Sequence, residues 1–167
     1  MDSTLPGRVY DPETRENGGT NSDDISDTLR DLPLELHKET TSAGWHREDQ
    51  VVQQRPALVM MHLSSFARPD HDTNPSLRIQ AMERTLSFLG FVGLANPRTQ
   101  FIVYTRGFTT EDERRAWVDD AAKRFPALRN RLRMLNIPGG EKATFRDPAT
   151  RQLVKQQVES VLGDSAR

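Results

Sequence analysis

The chain has 167 residues, 35% of them hydrophobic and 28% charged, with 23 basic side chains against 24 acidic ones and a net charge of -1. That balance carries no electrostatic footprint of a nucleic-acid binder, and a chain with no cysteine has no disulfide, no thiolate chemistry and no cysteine-ligated metal. No apolar run reaches the roughly 18 residues of a membrane span, and the first residues lack the basic and apolar regions of a signal peptide. The expectation is a soluble, cytoplasmic protein, or a periplasmic one if a leader has been lost.

Residues 1–22 are polar and rich in proline and glycine, with one short strand candidate at Arg8-Val9-Tyr10. The pair Gly18-Gly19 then leads through Thr20 and Asn21 into a helix on which Ile25, Leu29 and Leu32 recur at helical spacing. Backbone N–H groups at such a start can meet an anion, which makes Thr20 and Asn21 ligand candidates. Asp23 and Asp24 in the first turn oppose an anion, so a flexible turn with an N-cap is the simpler reading. Pro33 stops the helix, and Leu34 to His37 form a second strand candidate. A modest helix is expected over residues 44–54.

The run from Arg55 to Phe66, Arg-Pro-Ala-Leu-Val-Met-Met-His-Leu-Ser-Ser-Phe, is the strongest strand signal. Its length and continuous apolarity fit a strand covered on both faces, as in a parallel sheet between helices. Asn74-Pro75 supplies an N-cap and first turn for a helix ending near Ala95. The half of that helix from Leu86 to Ala95 is apolar nearly all round, which predicts packing on two sides, one of them self-association or a second lobe. Gln100 to Thr105 reads as another buried strand. Thr109 or Thr110, with Asp112 or Glu113 three residues on, has the pattern of a capping box. Trp117, Val118, Ala121 and Phe125 form that helix's buried face. Leu132 to Ile137 is the last strand candidate, and a final helix begins at Asp147-Pro148 and ends at Gly163.

Strand and helix thus alternate five times, which selects an α/β fold: a three-layer, mostly parallel five-stranded sheet with helices on both faces, flavodoxin-like in its strand order 2-1-3-4-5. The domain spans 23–163, with an N-terminal segment 1–22 and a tail 164–167. In parallel sheets ligands bind at the carboxyl ends of the strands. That edge gathers His62, Ser64, Ser65, Thr105 and Arg106, with Asp11, His37 and Asn136 nearby. His62 with Ser64 has the ingredients of a base and a nucleophile, although an ordinary hydrogen bond between residues so placed is the simpler reading. Arg106 presents a planar fork suited to carboxylate or phosphate, or to an acid across the crevice. His37, His46, His62 and His71 show no tight ligand spacing, so no metal and no cofactor is expected.

Two families share these features. Arg55 to His62 and Ile102 to Thr105 resemble the third and fourth strands of response-regulator receiver domains, with His62 standing where that family carries its phosphorylated aspartate. Met1-Asp2-Ser3 is similar to the nucleophile block of the SGNH (GDSL-like) hydrolases, and Asp147 before a terminal helix is similar to their Asp-x-x-His block. That second resemblance implies an ester hydrolase with Ser3 or Ser64 as nucleophile. Asp147-Pro148-Ala149-Thr150 supplies no histidine, so the base would be His62 in a non-standard site. The leading expectation is a domain that binds a small, anionic ligand or a partner protein at the strand-end crevice; the alternative is the hydrolase.

Overall fold

A computed structural model describes residues 21–36, 48–63, 75–105, 108, 110–137 and 145–165. Among the described residues its centre is a parallel sheet of three strands, β1 (Leu58–His62), β2 (Gln100–Tyr104) and β3 (Leu132–Met134), in the order β1-β2-β3. Register runs from Leu58 opposite Gln100 to His62 opposite Tyr104, and from Phe101 opposite Leu132 to Val103 opposite Met134. The amide of Leu135 donates to the carbonyl of Val103 at 2.8 Å and extends the last ladder by one step. Among the described residues five helices surround the sheet: α1 (Asn21–Leu29), α2 (Glu48–Gln54), α3 (Pro75–Ala95), α4 (Glu111–Arg124) and α5 (Pro148–Ser165).

Side chains alternate across the strands because successive Cβ atoms point to opposite faces. Val59, Met61, Phe101, Val103 and Leu132 join one core with residues of α2, α3 and α4. Met60, Ile102, Tyr104 and Leu135 join the other with α1 and α5. The result is helix, sheet, helix in three layers, the α/β class expected from the alternation.

The three strands are the third, fourth and fifth expected from the sequence. Arg8-Val9-Tyr10 lies outside the described residues, as does His37. Leu34 to Leu36 carry no strand pairing among the described residues: the amide of Leu34 turns back to the carbonyl of Leu32 at 2.7 Å, directly after Pro33, and Leu34 packs on the second core. Thr110 is the N-cap of α4, its hydroxyl accepting from the amide of Glu113 at 3.2 Å, as the capping pattern predicts. Gly163, expected to end α5, is instead inside it, and the helix continues to Ser165. An exposed helical glycine costs about 1 kcal/mol relative to alanine, too little to stop a helix whose Val154, Val158 and Val161 are buried.

The apolar second half of α3 finds most of its cover inside the chain. Leu86, Phe88, Leu89 and Val92 are buried, while Gly90 and Gly93 let the short 3-10 turn Pro126–Leu128 approach the helix. Phe91 and Leu94 remain exposed.

Candidate functional site

Parallel register puts the ends of β1 and β2 side by side, so that His62 and Tyr104 are direct neighbours. Their rings meet edge to face, centroids 5.2 Å apart and planes at 83°. Tyr104 in turn meets Phe145 at 5.6 Å and 78°. Both are in the geometry that the aromatic quadrupole favours. Tyr104 and Phe145 are fully buried and His62 is half-buried, which makes the imidazole the outermost ring of a three-ring stack. Its orientation is fixed by packing from below, while its upper part lies at the carboxyl edge of the sheet.

The strand end itself is pinned from the other face. The hydroxyl of Thr85, fully buried in α3, donates to the carbonyl of Leu63 at 2.9 Å and also lies 3.1 Å from the carbonyl of Ala81 one turn back. Leu63 also donates its amide to the carbonyl of Tyr104 at 2.9 Å. The residue after His62 is thus held from two sides. On β3's continuation the side-chain amide of Gln157 pairs with the backbone of Asn136, accepting from its amide at 2.9 Å and donating to its carbonyl at 3.1 Å. This copies a strand pairing and fixes the third strand's exit.

Of the residues singled out from the sequence, His62 and Thr105 stand at this edge, Thr105 half-buried one residue past β2. Asn21 opens α1. Ser3, Thr20, Ser64, Ser65 and Arg106 lie outside the described residues, as do His37, His46 and His71. Sequence reasoning missed Tyr104 and Phe145. The signal for Tyr104 was present: it ends the second apolar strand on the same alternation as Ile102, and the register of two parallel strands leads it to His62. Phe145 gave no comparable sign, because it precedes the Asp147-Pro148 helix start in a segment with no periodicity. Among the described residues no three His, Asp or Glu side chains converge on a point where a metal could be held, and no helix is long and apolar enough to cross a membrane.

The amino edge of the sheet is different in kind. Arg131, just before β3, donates to the carbonyls of Thr99 (3.0 Å), Gly93 (2.9 Å), Ala127 (2.6 Å) and Asn96, and its guanidinium sits 5.4 Å from the centre of the Phe101 ring. A cation there answers the negative end of α3, and burial pushes its pKa below the ordinary arginine value. Beside it Thr99 donates to the carbonyl of Pro56 at 2.8 Å and Asn96 to that of Val52 at 3.1 Å, tying the starts of β1 and β2 together. At the same edge, on the α1 face of β1, lies a cavity of about 360 Å³. Its walls include Ile25 and Leu29 of α1, Leu34 to Leu36, and Ala57, Leu58 and Met60. Arg55 on its rim holds a left-handed backbone, φ 48°.

Comparison with known proteins gives no significant match to a protein family, a curated protein or a solved structure.

Proposed function

We propose that the chain is a small-ligand-binding α/β domain with a flavodoxin-like five-stranded order, 2-1-3-4-5, and that it takes an anionic ligand at the carboxyl end of β1. The observation that carries this reading is the division of the helices between the faces. The crossovers β1-α3-β2 and β2-α4-β3 step in one direction along the sheet, and both helices lie on one face. Right-handed crossovers couple the direction of a step to the face that bears its helix. Because α1 lies on the opposite face, a crossover through it steps the opposite way. The strand order therefore reverses beside β1.

A reversal of this kind leaves a crevice between loops that diverge to opposite faces, and ligands of open α/β sheets occupy it. The residue at that point is His62, with Thr105 directly after β2, and Ser64, Ser65 and Arg106 come next in the sequence after the two strands. An imidazole, hydroxyls and a guanidinium form a donor set, which favours carboxylate or phosphate.

A thermal-shift panel of inorganic phosphate, a nucleoside diphosphate and a dicarboxylate tests this. A ligand present at 100 times its Kd adds about 2.7 kcal/mol, which raises the Tm of a chain this size by roughly 5 °C or more. At least one member should do so, and His62→Ala and Arg106→Ala should each abolish most of the shift. No response to any member, or a response that both variants keep, rules the reading out. Turnover of a generic ester that His62→Ala removes would point instead to the hydrolase.

A further inference from the structure

We propose that the cavity beside the start of β1 binds a medium-chain carboxylic acid, its hydrocarbon tail on the apolar lining and its carboxylate met by the Ser26 hydroxyl and the Arg55 guanidinium. The proposal does not depend on the strand-end crevice. Leu58, which lines the cavity, stands at the opposite end of β1 from His62, roughly 13 Å away along an extended chain.

The lining is chemically divided. Ile25 and Leu29 of α1, Leu34, Leu58 and Met60, and Leu162 of α5 give it an apolar surface. All six belong to the second core or pack against it, yet Leu34, Leu58 and Leu162 are only partly buried there. An occupant with a hydrocarbon body takes that remaining surface out of water, which is the driving force for binding. The volume of about 360 Å³ falls within the roughly 300–1,000 Å³ of small-molecule sites. Water fills such a space poorly, because each molecule needs about two to four polar partners, and these six side chains provide none.

Two polar lining residues point to the head group. Ser26 is 8% exposed, and among the described residues its hydroxyl has no hydrogen-bond partner. A buried hydroxyl without a partner costs stability, which an incoming ligand oxygen restores. Arg55 is exposed, and among the described residues its guanidinium makes no ion pair or hydrogen bond. It directly follows α2 with φ 48°, a conformation that glycine adopts at far less cost. Strain of this kind clusters at functional positions. Glu35 also lines the cavity and is already engaged by another group. Among the described residues, Arg55 is therefore the lining charge open to a ligand, and its fork suits a carboxylate.

Isothermal titration calorimetry on the full chain, with decanoate below its micelle concentration, tests this. Decanoate should bind saturably at about one site per chain, decanol about tenfold more weakly for want of the charged head, and acetate not at all. Ser26→Ala and Arg55→Gly should each raise the decanoate Kd about tenfold. Neither should lower the Tm of the free protein, since alanine removes an unsatisfied hydroxyl and glycine relieves the positive φ; a loss of affinity is then not a loss of fold. His62→Ala should leave the decanoate Kd unchanged, which separates this cavity from the strand-end crevice. The proposal is overturned by decanoate that does not saturate, by decanol that binds as tightly, by a Kd that both cavity variants keep, or by a Kd that His62→Ala raises as much as they do.

Discussion

Two glycines show how a single Cβ decides the packing of α3 and α5. A methyl group at Gly90 would stand 2.3 Å from Cδ1 of Phe125, a separation no real contact tolerates, whereas one at Gly163 would meet nothing within 4 Å. Gly90→Ala should therefore destabilise the protein by about 1–3 kcal/mol through overpacking, and Gly163→Ala should stabilise it by about 0.5–1 kcal/mol through helix propensity. Urea denaturation of the two variants checks both signs, and an unchanged midpoint for Gly90→Ala would show that Phe125 is free to move away. Arg131 is the residue-scale counterpart among polar groups. Four carbonyls from α3, the approach to β2 and the 3-10 turn converge on one guanidinium. Hydrogen bonds to a charged group each contribute about 1.5–3 kcal/mol and are not additive, so Arg131→Met should cost about 2–4 kcal/mol. Lysine keeps the charge but lacks the planar fork, and Arg131→Lys should recover less than half of the loss in the same denaturation measurement.

At the scale of elements, the sequence was most legible where one physical constraint acts alone. Apolar runs located β1 and β2, Asn74-Pro75 located the start of α3, and Thr110 with Glu113 located the start of α4. It was least legible where a long-range contact decides. Nothing local announces that Gly90 and Gly93 receive Phe125 and Leu128, or that Gln157 pairs with the backbone of Asn136. The same holds for the ion pairs between helices. Arg124 near the end of α4 reaches Glu83 on α3, 41 residues away, with one bond at 2.9 Å. That hydrogen bond, with the charge behind it, holds the Glu83 carboxyl below its ordinary value of 4.5. A depressed folded-state pKa means stability that is whole above pH 4.5 and is lost as the pH falls through the folded value. Both partners are about half exposed, so screening by solvent keeps the contribution small. The difference in stability between the parent and Glu83→Gln should be largest at pH 6–7, shrink below pH 4.5 and shrink again in 1 M salt. A difference independent of both pH and salt would assign the effect to packing.

For the whole molecule, the strand order sets the hierarchy of stability. The candidate site at the carboxyl edge stands on β2 more than on β1: the Tyr104 ring packs against that of His62, and Phe101 to Tyr104 are all at 0–1% exposure. Alternation in the sequence implied a parallel sheet, yet it could not say which strand is central, because that depends on the crossover directions and hence on which helices share a face. With β1 on one side and β3 on the other, β2 is the only described strand whose backbone is shielded on both edges as well as both faces. Opening it requires separating α3 and α4 from one face and α5 from the other, which is global unfolding. Local fraying, by contrast, is open to the helix ends and to β3, which has three residues in its ladder. Native-state amide exchange should therefore find the amides of Ile102 and Val103 among the slowest, with opening free energies equal to the global value from denaturation, and those of β3 and the last turn of α5 faster. If α1 or α5 amides outlast those of β2, the helices are not resting on the sheet as described, and the ring stack that orients His62 loses its foundation.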